Sequence, residues 1–265
     1  MVKPNIQRHY NAIPLADNRM KNPFGFVVSI IWVAFSLLPL STAASMEPFK
    51  AEYRVSLGGL KLGTAKTELR QSQEGHFVFE KQAKANGLAR MFISDSISER
   101  SEWRLVDGRP TAVRFESSEI DGKKHKRELI LFDKANNRVL TTWQQQTREI
   151  EVPEGAVDRL TLEMRMMMDA RAQVETFEYP LVERGKLKQR RFVPEGNEKL
   201  ETPAGTFNTV KYRLVRGNND KRSTLFWLAR ELGYLPVRME HHDKGHGFVI
   251  ALELSRIHPS ISQIQ

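Results

Sequence analysis

The chain has 265 residues, of which 40% are hydrophobic and 28% charged, and its formal net charge is +9 at pH 7. It contains no cysteine, which excludes disulfides, a thiolate nucleophile, a cysteine zinc site and a cysteine for lipid attachment. The length suffices for a large hydrophobic core without such cross-links.

The first predicted element is a cleavable secretory signal at residues 1–45. An apolar run from Phe24 to Leu40 is followed by small residues, and four basic residues precede it: Lys3, Arg8, Arg19 and Lys21. The run is shorter than the roughly twenty apolar residues that a membrane-spanning helix needs, which favours cleavage over a retained signal anchor. We therefore expect a periplasmic protein that is not lipid-anchored and has no integral membrane span after cleavage.

Residues 46–258 are predicted to form a single β-rich exported domain, followed by a C-terminal tail at 259–265. Hydrophobic residues alternate with polar ones in segments such as "YRVSL" at Tyr53–Leu57 and "GFVIALEL" at Gly247–Leu254. Such segments bury one face of a strand and expose the other. The pattern predicts a mainly β fold: a single large curved antiparallel sheet, or an unclosed barrel, of roughly a dozen meandering strands.

Turn signals separate these segments at strand-length intervals. They include Asp107-Gly108, Asp121-Gly122, Gly185 and Gly196, where glycine or its neighbour can adopt a positive φ. In "ETPAGTF", proline fixes φ and glycine permits the left-handed conformation, so a corner is expected there. The predicted structural turn residues are Pro203, Gly205 and Pro236.

One segment departs from the period of two. Residues from about 158 to 172, "DRLTLEMRMMMDARA", are rich in helix formers, and Asp158 is a plausible N-cap. Leu160, Met164, Met167 and Met168 share one face of the predicted helix, whereas Leu162 and Met166 fall on the opposite side. Two interpretations stay open: a helix sandwiched between the sheet and a loop, or a helix that covers an apolar cavity.

The positive charge is dispersed. Without residues 1–45, 37 Lys and Arg stand against 31 Asp and Glu, a net charge of +6. The dense runs are "GKKHKR" at 122–127 and "RGKLKQRR" at 184–191, and neither is interleaved with the aromatic residues that stack bases. Anionic lipid headgroups or envelope polymers are therefore better candidate partners than nucleic acid, and a solvated sheet edge is the alternative.

No catalytic motif is found. The sequence lacks a nucleophile elbow, a His-Glu-x-x-His helix, a phosphate loop and a dinucleotide fingerprint, so we expect no enzyme, no cofactor and no metal. The candidate metal ligands would be His242, Asp243 and His246, at the tip of a hairpin whose loop is predicted to be Lys244-Gly245. This tip lacks the enclosure of a metal site.

Three tryptophans, Trp103, Trp143 and Trp227, are predicted core anchors. Together with Leu160, Met164, Met167 and Met168, they are also the candidates to line a ligand cavity.

Several motifs together resemble one bacterial exported family. They are Tyr53 with "GLKLGTA", the "ETPAGTF" corner, "WLA" at Trp227–Ala229 and "YLPVR" at Tyr234–Arg238. As a set they resemble the family called domain of unknown function 3108, over about Phe49 to Arg256. The resemblance implies a periplasmic β-rich protein and brings no catalytic residues. The predicted curved sheet with a helix is also similar, at the level of fold, to the unclosed barrels of periplasmic lipoprotein carriers.

Three functions compete in this interpretation. The third in rank, a hydrolase or metal-dependent enzyme, would need titratable groups that converge in a cleft, whereas the sequence scatters Glu and Asp along outward strand faces. The first is a non-enzymatic periplasmic protein that binds or carries an amphiphilic, lipid-like ligand in the concavity of the sheet, which requires a continuous apolar pocket. The second is an envelope assembly or scaffold protein that acts through protein–protein contacts; it would fill the concavity with side chains and present an apolar or basic patch outside.

Overall fold

The computed structural model describes residues 47–72, 76–87, 94–215 and 221–258. The predicted signal at 1–45 and tail at 259–265 lie outside these residues. Fourteen strands are described: β1 Phe49–Leu57, β2 Leu60–Gln71, β3 Phe77–Ala85, β4 Ser96–Val106, β5 Arg109–Asp121, β6 Lys124–Asp133, β7 Arg138–Trp143, β8 Gln146–Glu151, β9 Phe177–Glu183, β10 Lys186–Thr202, β11 Gly205–Val215, β12 Arg222–Ala229, β13 Leu235–Asp243 and β14 Phe248–His258. The helix α1 spans Arg159–Arg171, and a short 3-10 helix spans Arg230–Leu232.

All fourteen strands form one antiparallel sheet. The chain starts at the centre with β1, adds neighbours outward to β8, crosses through α1 to β9 at the other end, and returns inward until β14 pairs with β1. The two edges, β8 and β9, do not pair with each other, so the sheet is not closed into a barrel. The predicted class, an unclosed antiparallel sheet with one helix, is confirmed.

Side chains alternate between the two faces of each strand, and this alternation determines which residues face the core. In β1, Phe49, Ala51, Tyr53 and Val55 are buried, and the residues between the first three are exposed or half-buried. Hairpins reverse the chain where a residue adopts a positive φ, as at Asp107 (φ 50°) and Arg184 (φ 51°). These predicted turns therefore lie where one strand ends and the next begins, as expected.

Two predicted turns lie inside strands instead. Gly196 (φ 118°) is in β10, where the register with β11 shifts between Pro194 and Gly196, so this glycine forms a β-bulge. Pro236 is the second residue of β13, where the register with β12 also shifts. A bulge accommodates the missing N–H of proline without a break in the strand. Pro203 and Gly205 do lie at a reversal, between β10 and β11.

The helix occupies the inside of the curved sheet. It packs against β3, β4 and β5 on one side and against β9 on the other. Within the described part of the chain, no helix is both long and apolar enough to cross a membrane.

Candidate functional site

The helix α1 is buried on two sides, as its sequence predicts. Leu160, Met164 and Met167 belong to one hydrophobic cluster, which includes Trp103 and Trp227. Leu162, Met166 and Ala170 belong to a second cluster, formed with the aromatic residues of β9 to β12. The helix is therefore sandwiched between the two halves of one sheet, rather than between the sheet and a loop. Met168 is only half-buried.

The space left beside α1 is very small. A cavity of about 10 Å³ lies next to Met164, lined also by Tyr53, Thr67 and Lys81. This volume accommodates about one water molecule, whereas a drug-sized ligand needs several hundred Å³. The space beside Met164 is thus too small for such a ligand, and the candidate cavity residues Leu160, Met164 and Trp103 are completely buried.

The N-terminus of α1 is fixed by a buried carboxylate. Asp158 accepts hydrogen bonds from the backbone N–H groups of Leu160 (2.8 Å) and Thr161 (3.0 Å). Its other oxygen accepts from the hydroxyls of Thr161 (2.7 Å) and of Ser101 on β4 (2.9 Å). Burial raises the pKa of Asp158, although all four hydrogen bonds favour its charged form. The predicted N-cap therefore also ties the helix to the sheet.

Two further tethers hold the body and the C-terminal end of the helix. The guanidinium of Arg165 donates to the carbonyl oxygens of Pro110 (2.8 Å) and Gly155 (2.7 Å). Asp169 accepts from the hydroxyl of Tyr179 on β9 (2.7 Å) and from Arg109 (2.9 Å). The helix is thus joined to both halves of the sheet by polar contacts as well as by packing.

A charged cluster surrounds the first residue of α1. Arg159 pairs with Glu99 of β4 (2.8 Å) and Glu128 of β6 (3.0 Å), lies 3.7 Å from Glu183 of β9, and places its guanidinium over the ring of Phe115. Burial raises the pKa of Glu128 above its ordinary value, against the opposing effect of Arg159. We call these four charged residues, Glu99, Glu128, Arg159 and Glu183, the Arg159 cluster. It joins strands from both halves of the sheet.

The stability that Glu183 contributes is expected to depend on pH. Burial opposes its ionisation, but Lys188, Arg159 and Arg190 outweigh burial and hold its pKa below the ordinary value of 4.5. The folded state then binds fewer protons than the unfolded state, so this contribution is complete above pH 4.5 and is lost as the pH falls through the lowered pKa.

We predict that Glu183→Gln lowers the free energy of unfolding by about 1–3 kcal/mol at neutral pH and by less in acid. Urea unfolding of both proteins across the acidic range measures the difference. The matched control is Glu178→Gln on the same strand, because Glu178 and its partner Arg191 are more than half exposed. A difference between wild type and Glu183→Gln that does not shrink in acid would contradict this assignment.

A polar groove of about 550 Å³ crosses β3 to β7, and most of its residues lie on the face of the sheet opposite α1, whereas Glu99 and Glu128 lie on the face towards α1. The residues on the outer face alternate with inward ones: Glu80 follows Phe79, and Glu116 follows Phe115. The side chains that line it are charged, hydroxyl or amide groups, with one leucine: Glu80, Gln82, Ser98, Glu99, Arg100, Arg114, Glu116, Ser117, Ser118, Arg127, Glu128, Leu129, Thr142 and Gln144. Arg100 pairs with Glu80 and Glu102 across the strands. Such half-exposed pairs contribute little to stability.

An unpaired strand edge lies beside this groove. In β8 every residue except Ile150 is exposed, and no other described segment pairs with its outer side. The backbone N–H of Val152 donates to the carbonyl oxygen of Asn137, which precedes β7. In an antiparallel pair, the backbone groups of every second residue point towards the neighbouring strand. Those of Thr147, Glu149 and Glu151 therefore point away from β7. The opposite edge differs: Val157 forms a bridge to β9 through Pro180 and Val182.

The histidine-rich hairpin differs from its predicted geometry. Its loop comprises four residues, Lys244–Gly247, because Asp243 pairs with Phe248. Asp243 accepts from the backbone and ring of His246, whereas the ring of His242 contacts Glu240. Among the residues that the structure describes, no group of three or more potential ligands could hold a metal ion.

The three candidate tryptophans occupy different places. Trp103 is completely buried and stacks on Phe77, with 4.4 Å between ring centroids. Trp227 is buried and its indole N–H donates to Glu198. Trp143 is half-buried at the end of β7, with the guanidinium of Arg184 over its ring. Only Trp143 is therefore placed to contact a molecule at the surface.

Comparison with known proteins identifies a family and a fold. The family described as "Protein of unknown function (DUF3108)" matches residues 52–252. A crystal structure of a β-barrel-like protein of domain of unknown function DUF1849 from Brucella abortus is similar, with a TM-score of 0.51, 10% identity, and coverage of 79% of this chain and 96% of that one. A structure named "putative lipoprotein" from Parabacteroides distasonis has a TM-score of 0.29 and 12% identity, and the match covers 80% of this chain and 95% of that one. Among curated proteins, none matches this sequence.

Proposed function

Because this chain belongs to the DUF3108 family, whose function is unknown, we propose a function from its own geometry: it is a non-enzymatic envelope assembly protein that binds an extended segment of another envelope protein along β8. The observation that carries the proposal is the open edge of β8, which lies beside a polar groove. The cavity beside Met164, in contrast, is too small for a ligand. In this proposal the packed core provides stability and the surface provides recognition.

Strand addition explains how such an edge recognises a partner. An extended peptide satisfies the free N–H and C=O groups of an edge strand, and neighbouring side chains supply specificity. Here Arg148, Glu149 and Glu151 put charges of both signs along the edge, which discourages pairing between copies of the chain. The groove across β3 to β7 begins within reach of the same edge and offers hydroxyl, amide and charged groups to the partner's side chains.

The test is to remove one outward backbone donor. Glu149→Pro deletes an N–H that β7 does not use, and proline is tolerated where the N–H of an edge strand faces solvent. We expect a folded protein that loses at least about 90% of its partner complex, because the proline ring interrupts the added strand. Glu149→Gln, which alters the side chain and keeps the N–H, is the matched control.

A photo-reactive residue at position 147 measures the complex in intact cells, and mass spectrometry identifies the cross-linked product. The proposal predicts one envelope protein that cross-links in the wild type and in Glu149→Gln but not in Glu149→Pro. Equal cross-linking in Glu149→Pro, or cross-linking spread evenly over many abundant proteins, would overturn it.

A second candidate, carriage of an amphiphile, is favoured by a different observation. The helix connects β8 and β9, the two end strands of an open sheet, and methionines supply much of its buried surface, so it could be displaced and its contacts repacked. Since only about 10 Å³ is free beside Met164, a lipid chain could enter only if α1 left its place. Because Ser101 and Thr161 hydroxyls are 2.9 Å apart, a disulfide between cysteines at these positions would block such uptake.

A further inference from the structure

The two basic runs converge at one end of the sheet. Residues 122–127 form the β5–β6 turn and the start of β6, and residues 184–191 form the β9–β10 turn and the start of β10. The backbone N–H of Arg184 donates to Glu128 of β6, and its guanidinium lies over Trp143, 5.2 Å from the ring centroid. We call this end, comprising residues 122–127, 143–146 and 184–191, the basic rim.

Much of the charge of the basic rim is not neutralised. Some of its cations pair with carboxylates: Lys126 with Glu119, and Lys188 and Arg190 with Glu183. Five others are exposed and have no carboxylate at ion-pair distance among the described residues: Lys123, Lys124, Arg127, Arg184 and Lys186. These five create a local excess of positive charge.

The basic rim also contains an opening and exposed apolar side chains. An opening of about 830 Å³ is lined by His125, Arg127, Trp143 and the amides of Gln144, Gln145 and Gln146. Beside the cations, Ile120 is 40% exposed and Leu187 is 42% exposed. Cationic donors suit phosphate oxygens, and apolar and indole side chains suit the boundary between headgroups and acyl chains.

We propose that the basic rim is a binding site for the phosphate groups of anionic phospholipids and docks the protein on a membrane surface. A lipid surface fits better than nucleic acid because Ile120 and Leu187 gain an apolar environment only in lipid. The single aromatic residue, Trp143, is covered on one side by Arg184 and offers no series of stacking platforms for bases.

The basic rim shares Gln146 with β8 and Arg127 and Gln144 with the polar groove, but Thr147, Glu149 and Glu151, whose backbone groups would bind the added strand, lie outside it. Lipid binding can therefore be tested separately from strand addition.

The experiment is vesicle cosedimentation with phosphatidylglycerol-containing and pure phosphatidylcholine vesicles. We expect binding to the anionic vesicles that weakens with salt. Each basic residue near an anionic surface contributes about fivefold in affinity, so Lys123→Gln with Lys124→Gln should weaken binding roughly 25-fold. The matched control is Lys50→Gln with Lys66→Gln, which removes the same charge from exposed side chains on β1 and β2.

A second measurement locates the contact. Trp143 is the half-exposed member of the three described tryptophans, so a blue shift of fluorescence on vesicle binding is expected in the wild type and not in Trp143→Phe. Equal binding to neutral vesicles, or an equal loss in the control pair, would overturn the proposal. Tighter binding to a single-stranded oligonucleotide than to anionic vesicles would overturn it too and assign the basic rim to nucleic acid.

Discussion

Replacing Arg159 with methionine is expected to lower the free energy of unfolding by about 3–5 kcal/mol. The substitution leaves Glu99, Glu128 and Glu183 close together without their shared cation, and the side chain of Glu128 is completely buried. Removal of one partner from a buried ion pair leaves an uncompensated charge, which costs more than the pair contributes. Urea unfolding followed by circular dichroism measures the change.

Two variants make this first prediction specific. Arg148→Met removes an exposed arginine from β8 and should change the stability by less than about 0.5 kcal/mol. Adding Glu128→Gln to Arg159→Met removes the most buried of the unpaired charges and should restore part of the stability. A cost below about 1 kcal/mol for Arg159→Met, or no recovery in the double variant, would show that the Arg159 cluster does not hold the helix.

Asp158→Ala is expected to lower the free energy of unfolding by about 2–4 kcal/mol. Loss of an N-cap costs about 0.5–2 kcal/mol, and the buried hydroxyls of Ser101 and Thr161 lose their shared acceptor, which adds about 1–3 kcal/mol. The same unfolding experiment measures it. Asp158→Asn keeps one oxygen for the backbone N–H groups, so it should lose at most half of the unfolding free energy that Asp158→Ala loses. Equal losses in both variants would mean that the cap itself contributes little.

The sequence predicts the sheet because each strand buries one face. The alternation in β1 and β14, and the positive φ at Asp107-Gly108, arise from local chemistry and are found in the structure. Gly196 and Pro236 were wrong as turns, because a single glycine or proline is equally compatible with a bulge, and only pairing with the neighbouring strand distinguishes the two.

The Arg159 cluster was not predicted, although the sequence contains a signal for it. Glu99 shares its face of the strand with Ser101 and Trp103, and Glu128 shares its face with Ile130, so both carboxylates lie on the buried side of their strands. A charge on that side needs a partner. The partner is Arg159, which the crossover through α1 brings between strands about 30 and 60 positions away in the chain. The hydrophobic periodicity of the sequence does not show which residue this crossover brings there.

The same argument applies to the surface. Each basic run taken alone resembles a solvated edge, and only the folded sheet brings residues 122–127 and 184–191 together around Trp143. The open edge of β8 likewise follows from the topology, since no property of "QTREIE" shows that it has one neighbouring strand rather than two. Both proposed surfaces thus depend on the order of the strands.

The central claim is that the concavity of the sheet is filled by its own helix and that recognition occurs on the surface. Native mass spectrometry of the protein purified gently from its cell envelope tests this claim most directly, together with a Ser101→Cys/Thr161→Cys variant examined oxidised and reduced. We predict that lipid binding is the same in the wild type and in the oxidised and reduced variant, because any bound phospholipid lies at the basic rim and none enters the interior. A stoichiometric lipid adduct that is present in the wild type and in the reduced variant, and absent when the disulfide holds α1 in place, would contradict the claim and support the carrier function.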